Sequence, residues 1–302
     1  MTDSSTHADA PLNDLVVVAG FPKSGNTLIN ETLSYAGKLV EPSWEPPRYE
    51  WNNDADIARI CSNTFSANPY LGAGRCHLKT HQKYSEENYN WSKAQIRMNC
   101  IVIIIRNPFD TLLSATNYLR YSATVNKALT ANQIATLKHF YPGYTDSDVL
   151  GGKRFDLEKL RDEGALDNAL EIFANSGTCV PQFLARSGTW LDFYQSFNQT
   201  RLPSLRIRFE DVVNSEDQWA KVAATLGTFL ARDEGILAAA FKCQDQACQK
   251  AKSEHNPFFP VAESNYFFRY FEPRSLRRFC NVYQNQLASL GYEDLVDTIM
   301  ST

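Results

Sequence analysis

The sequence has no apolar run near the roughly 18 residues that a membrane span requires. It has no CxxC pair, and its seven cysteines are scattered. It has no surplus of positive charge: 30 Lys and Arg stand against 34 Asp and Glu, a formal net charge of -4. Met1 to Asn13 is polar and rich in small residues, without the apolar stretch of a signal peptide. Each lack excludes something. Without a span or leader, no membrane partner is expected and the cytoplasm is the expected location. An odd number of scattered thiols fits a reducing compartment, and the sequons opened by Asn30, Asn90 and Asn198 are then chance matches. The acidic balance argues against a nucleic-acid partner, which needs a basic face. Cys243 and Cys248 have no second pair nearby to complete a zinc site, so they read as structural thiols.

What is present is a chain of 302 residues, 43% hydrophobic and 21% charged, long enough to bury a core without staples. Leu15 to Ala19 is a short apolar run that reads as a central parallel strand. A turn from Gly20 to Thr27 follows, and helical spacing then runs to Ala36. Three prolines between Pro42 and Pro47 break regular structure. Cys76 to Thr80 reads as a weak strand and Cys100 to Ile105 as a strong one. Pro108 suits the first turn of a helix that continues through Tyr118. Leu205 to Phe209 alternates as a further strand. Helices are expected at about 217–230, 234–241 and 273–290. Strands alternating with helices predict an α/β fold on a parallel sheet, in a single domain. The interval 121–187 reads as mostly helical, an insertion that caps one end of the sheet.

Three segments carry chemistry. In the first, Gly20-Phe21-Pro22-Lys23-Ser24-Gly25-Asn26-Thr27 joins a strand to a helix, where backbone N–H groups and the positive helix end bind phosphate. Gly20 and Gly25 keep the Walker spacing, but Asn26 stands where its Lys belongs and the Lys is at position 23. Ser24 and Thr27 would add donors; otherwise this is an ordinary turn with a solvated Lys. The second, Lys79-Thr80-His81, closes a strand, where ligands of open α/β sheets gather. His81 is either a satisfied structural residue or a neutral base for an attacking hydroxyl. In the third, Arg106 leaves a strand and Ser114 follows about two turns into a helix. The guanidinium fork suits phosphate oxygens, unless Asp110 pairs with it.

Together these segments resemble the soluble small-molecule sulfotransferases that use 3′-phosphoadenosine 5′-phosphosulfate (PAPS). Pro22 to Leu28 is similar to the family's P-K-S-G-T-T-W loop, Lys79-Thr80-His81 to its K-T-H, and Arg106 to Ser114 to its R-N-P-x-D-x-x-x-S. Gly188-Thr189-Trp190, Arg208-Phe209-Glu210-Asp211, Ala239-Ala240-Phe241 and Tyr270-Phe271 resemble later family segments, in the same order. The resemblance spans most of the chain. It implies a three-layer P-loop fold, with a central parallel sheet flanked by helices plus the helical insertion. It also implies PAPS as co-substrate and a small-molecule acceptor. Lys23, Lys79 and His81 would be catalytic. Pro22, Lys23, Ser24, Gly25, Asn26, Thr27, Leu28, Arg106, Ser114, Phe209 and Phe241 would bind the nucleotide, Phe241 either stacking on adenine or sitting in the core.

Several positions depart from the pattern. Asn26 replaces Thr, Leu28 replaces Trp, and Phe209 replaces Tyr. The R-K-G before the C-terminal helix is unmatched near Pro260-Val261-Ala262, and Arg269, Lys250 and Lys252 are candidates to replace it. Glu272-Pro273 stands in place of the family's dimer motif, so that dimer is not expected. The interval from Arg106 to Phe209 is longer than in compact members, in the region that usually binds the acceptor. Phe140, Tyr141, Tyr144 and Trp190 are candidates to face it. Sulfuryl transfer is in-line and needs bridging metal less than phosphoryl transfer does, and no Walker-B acid follows a strand, so no metal is expected. The competing readings are a P-loop kinase and a binding protein that kept the fold without turnover.

Overall fold

The computed structural model describes residues 13–46, 50–51, 67–90, 96–125, 131–143, 156–180, 184–213, 216–253 and 265–302. Strands β1 (Asn13–Gly20), β2 (Glu50–Trp51), β3 (Arg75–Thr80), β4 (Ile96–Ile105) and β5 (Ser204–Arg208) form one sheet in the order β2-β3-β1-β4-β5. Every pairing is parallel. The period of two decides which layer each side chain enters. Leu15, Val17 and Ala19 of β1, with Ile101, Ile103 and Ile105 of β4, pack into one hydrophobic layer. Val16 and Val18, with Cys100, Val102 and Ile104, pack into the other. Both faces are covered, which explains the unbroken apolar runs. Burying each such side chain contributes about 1.5–3 kcal/mol.

The second of these layers is closed by α1 (Asn26–Val40) through Ile29 and Leu33. Leu226 of α9 (Glu216–Leu230) and Leu237 of α10 (Glu234–Ser253) complete it. The first layer holds α2 (Pro108–Val125), α3 (Ala131–Phe140), α4 (Leu157–Asp162) and α5 (Ala165–Ser176). Past α6 (Leu184–Ser187), the layer also holds α7 (Trp190–Ser196), α11 (Pro273–Ser289) and α12 (Glu293–Ser301). A short α8 (Phe209–Val213) follows β5. The result is helix, sheet, helix: the expected three-layer α/β architecture.

Several boundaries differ from expectation. β4 starts at Ile96, and α10 runs to Ser253 instead of stopping near Phe241. Phe209 opens α8 rather than closing β5. β2 and α12 carry no clear sequence signal: β2 has two residues, and α12 follows the preceding helix after a turn at Gly291. In the interval 121–187, the described residues include four helices besides the end of α2. Leu166, Leu170 and Phe173 of α5 lie in the same layer as β1, and Phe173 meets Phe21 edge-on at 5.7 Å. α5 is therefore part of the core, and any acceptor-covering part of that interval lies outside it. Among the described residues no helix is long and apolar enough to cross a membrane.

Candidate active site

The strand order reverses direction at β1: the chain goes to β2 and β3 on one side, then returns to β4 on the other. In open parallel sheets such a switch leaves a crevice beyond the carboxyl ends of the strands. Register places the predicted residues there. Ala19 is opposite Thr80, Gly20 opposite Ile104, and Ile105 opposite Arg208. Lys23, His81, Arg106 and Phe209 thus leave four strands at one edge.

The loop after β1 is held tightly. Lys23 has φ 71° and Gly25 has φ 94°. A Cβ on Gly25 would lie 2.3 Å from Phe209 Cδ2, so glycine is required by both conformation and space. Gly25 is the N-cap of α1, and no side chain caps that end. An uncapped helix start presents backbone donors and positive potential to an anion.

Ser24 is completely buried. Its N–H donates to the Phe21 carbonyl at 3.0 Å, and its Oγ lies 2.8 Å from Tyr194 Oη. Tyr194 Oη donates to Ser24 Oγ and is also 3.0 Å from the Ile104 carbonyl. Ser24 is thus a latch for the loop. Asn26 ties the loop to the next strand: its Nδ2 donates to the Thr80 carbonyl at 3.1 Å. Pro22 is buried and Leu28 packs at the edge of the α1 layer. Thr27 is exposed and accepts from Lys79 Nζ at 3.3 Å.

Three cations converge on this loop. Burial pulls the Lys23 ammonium down to about 8, with Arg106 and then Lys79 adding to the effect. Its Nζ lies 4.5 Å from the centroid of the Tyr118 ring. Arg106 is only 4% exposed. Its Nη1 donates to the Lys23 carbonyl at 3.3 Å, while Nε and Nη2 are buried with no hydrogen-bond partner. Its guanidinium stacks on the Phe209 ring at 4.3 Å. Asp110 does not pair with it. The Asp110 carboxylate accepts from Asn107 Nδ2 and from the backbone of Asn265 and Phe267. Burial raises the Asp110 pKa, with Arg106 opposing that rise. Ser114 is half-buried in α2, and its hydroxyl has no hydrogen bond among the described residues. It sits four residues before Tyr118, on the same helix face.

His81 is buried at the end of β3, and its Nδ1 lies 2.8 Å from the Gly20 carbonyl. A carbonyl only accepts, so Nδ1 carries the proton and Nε2 of the neutral ring keeps its lone pair. Asn26 Nδ2 approaches the same nitrogen at 3.5 Å, a distance too long to compete with the Gly20 bond. The other histidine on β3, His77, is structural. Asn68 donates to its Nδ1 and Ser34 meets its Nε2, both at 3.1 Å. Burial lowers the His77 pKa to about 4.

The 3.2 Å bond from Trp190 Nε1 to the Arg106 carbonyl fixes that loop from the α7 side. Glu210 Oε1 accepts from Asn107 N and Nδ2 at 2.9 and 2.7 Å, and its Oε2 from Tyr292. No family model matches the sequence, and no curated protein matches it. Comparison of folds gives a different result. A structure titled as mouse sulfotransferase SULT7A1 complexed with PAP aligns over 97% of this chain and 90% of its own, with TM-score 0.57 and 16% identity. A retinol dehydratase structure with androsterone and inactive cofactor PAP aligns over 92% and 81%, with TM-score 0.52 and 9% identity. The chain has the sulfotransferase fold.

Within the sulfotransferase fold, the sequence-predicted Lys23, Lys79, His81 and Arg106 come together at one edge of the sheet. Other expected residues do not reach it. Phe241 is 2% exposed in the layer with Ile29 and Leu33, the core alternative for that ring. Phe140, Tyr141 and Trp190 are buried in the other layer, and Tyr144 lies outside the described residues, as does 260–262. Arg269 is paired with Glu158 at 2.6 Å, and Lys250 is exposed near the end of α10. Tyr194 was not singled out in the sequence, Tyr118 was read only as part of a helix, and Asn107 only as part of the Arg106 to Ser114 segment. Only Asn107 had a local signal: Asn before Pro at a helix start, where its Oδ1 caps Asp110 N at 2.8 Å.

Proposed function

We propose that the protein transfers a sulfuryl group from PAPS to a hydroxyl or amine of a small acceptor. The observation that carries this reading is Arg106: a buried guanidinium with two donor nitrogens unpartnered, beside an uncapped helix start and two lysines. Leaving a buried charge half-satisfied is costly, so such a group is built for an anion that arrives later. Two anionic groups on one ligand suit the two receptors. The Gly25 helix start with Lys23 would hold the 5′ end, and Arg106 with Ser114 the 3′-phosphate.

PAPS supplies the sulfuryl group and a bisphosphorylated leaving group, whose bridging oxygen gains charge as its bond to sulfur breaks and the acceptor–sulfur bond forms. Lys23 meets that charge from a buried position, where a fixed cation acts strongly. Lys79, tethered to Thr27, adds a second cation. His81 Nε2 takes the acceptor proton, while the Gly20 carbonyl holds the ring in the tautomer that can do so. A kinase reading fits less well, because Asn26 occupies the Walker lysine position and its side chain is tied to Thr80. The chain acts as one domain in this reading, with Lys23 and Arg106 drawn from the same sheet. No disulfide joins the described cysteines, in keeping with a reducing, cytoplasmic setting.

Titration calorimetry with 3′-phosphoadenosine 5′-phosphate (PAP) and with AMP tests the binding half. A preference of at least about tenfold for PAP is expected from one charge-assisted bond. Equal affinities would overturn the reading. Labelled PAPS with a panel of hydroxyl and amine acceptors then tests transfer, and binding without transfer to any of them would favour the inactive binding protein.

A further inference from the structure

We propose that Tyr118 is a positioning residue that holds the Lys23 side chain through its ring face, keeping the ammonium charged and aimed at the loop after β1. This rests on the sulfuryl-transfer reading for its consequence, but not for its geometry. The Lys23 Nζ lies 4.5 Å from the Tyr118 ring centroid, within cation–π range. The contact joins two elements: the loop between β1 and α1, and the second half of α2.

The need for it follows from the neighbours. Lys23 leaves the backbone at φ 71°, a conformation that L residues adopt at a cost. Arg106, from the end of β4, and Lys79, from β3, both act on it as cations. Burial works in the same direction, so the amine is held near 8, within reach of losing its charge. An aromatic face is the uncharged surface that favours an ammonium over an amine. Unlike a carboxylate, a ring face neither neutralises a lysine nor repels an incoming anion. Ser114 lies one turn before Tyr118 on the same helix face.

The test is the titration of Lys23 in the ligand-free protein, read by NMR of side-chain-labelled lysine and assigned with Lys23→Arg. Tyr118→Leu should lower the midpoint by about one pH unit. Tyr118→Phe, which keeps the ring face, should leave it within about a third of that shift. The sign is diagnostic. If Tyr118 merely filled space, its loss would admit water and raise the midpoint toward the ordinary lysine value. A midpoint that rises or stays unchanged in Tyr118→Leu therefore overturns the proposal. Should Tyr118→Leu fail to fold, phenylalanines of increasing ring fluorination at position 118 keep the shape while draining the face. The midpoint should then fall stepwise, and a flat series overturns the proposal. The titration needs no nucleotide, so failure to bind PAP would sink the sulfuryl-transfer reading and leave this result standing.

Discussion

The Arg106 guanidinium lies 4.3 Å over the Phe209 ring, and the same ring would collide with any Cβ on Gly25. One aromatic side chain thus lies against both of the proposed anion receptors. The register that places Ile105 opposite Arg208 makes Arg106 and Phe209 neighbours at the strand ends.

Arg106→Met should separate stability from binding. The guanidinium has two buried nitrogens without partners, so replacing it with an apolar chain removes a desolvation cost. The ligand-free variant should melt at the parental temperature or above it. The preference for PAP over AMP should fall by about 10- to 150-fold, the worth of one charge-assisted bond. Scanning calorimetry with and without PAP measures both. A large drop in the melting temperature of the free protein would show that Arg106 is structural.

Gly25→Ala should destabilise the protein by about 2 kcal/mol or more, from the left-handed backbone and the collision with Phe209. In a Phe209→Ala background the collision disappears, and only the backbone part should remain. Denaturant unfolding of the two singles and the double gives the coupling. Strict additivity would mean that the ring does not press on the loop.

His81→Ala should lower turnover by about 10²- to 10⁴-fold while PAP affinity changes less than about threefold. The reason is its position: the ring is bonded to the Gly20 carbonyl, ahead of the Gly25 helix start that would hold phosphate. Single-turnover rates and calorimetry separate the two effects. Near-parental rates would remove His81 as the base.

His77 should shape the acid limb of the stability curve. Its folded pKa is depressed from 6.5 to about 4, so above pH 6.5 neither state is protonated and no penalty exists. As pH falls through the window from 6.5 to about 4, the unfolded chain takes a proton that the folded protein refuses, and stability is lost. The full loss is about 3 kcal/mol, at 1.36 kcal/mol per unit. His77→Gln, which keeps neutral hydrogen bonding, should flatten this limb in urea titrations between pH 4 and 7. An unchanged limb would place the acid sensitivity elsewhere.

The strands at Leu15 and Ile101, and the residues just beyond their ends, were legible because local patterns specify them. An apolar run followed by a glycine-bearing turn needs no partner to be recognised. The partners of Ser24 and Asn26 were not legible for the opposite reason: Tyr194 and Thr80 lie far along the chain. The links of Glu210 to Asn107, and of Asp110 to Asn265, are likewise invisible without the fold. Phe241 was left between adenine and the core, since only the packing of α10 on α1 decides which way it faces.

The strand order has a consequence for how this molecule can be built and lost. His81, Lys23, Arg106 and Phe209 hang from β3, β1, β4 and β5, so the first and last of them are separated by well over a third of the chain. No fragment made before β5 can hold the complete proposed receptor, because the ring that seats the guanidinium follows that strand. Nucleotide capture would then report completion of the whole sheet, acting as a final lock on maturation and not as a seed for it.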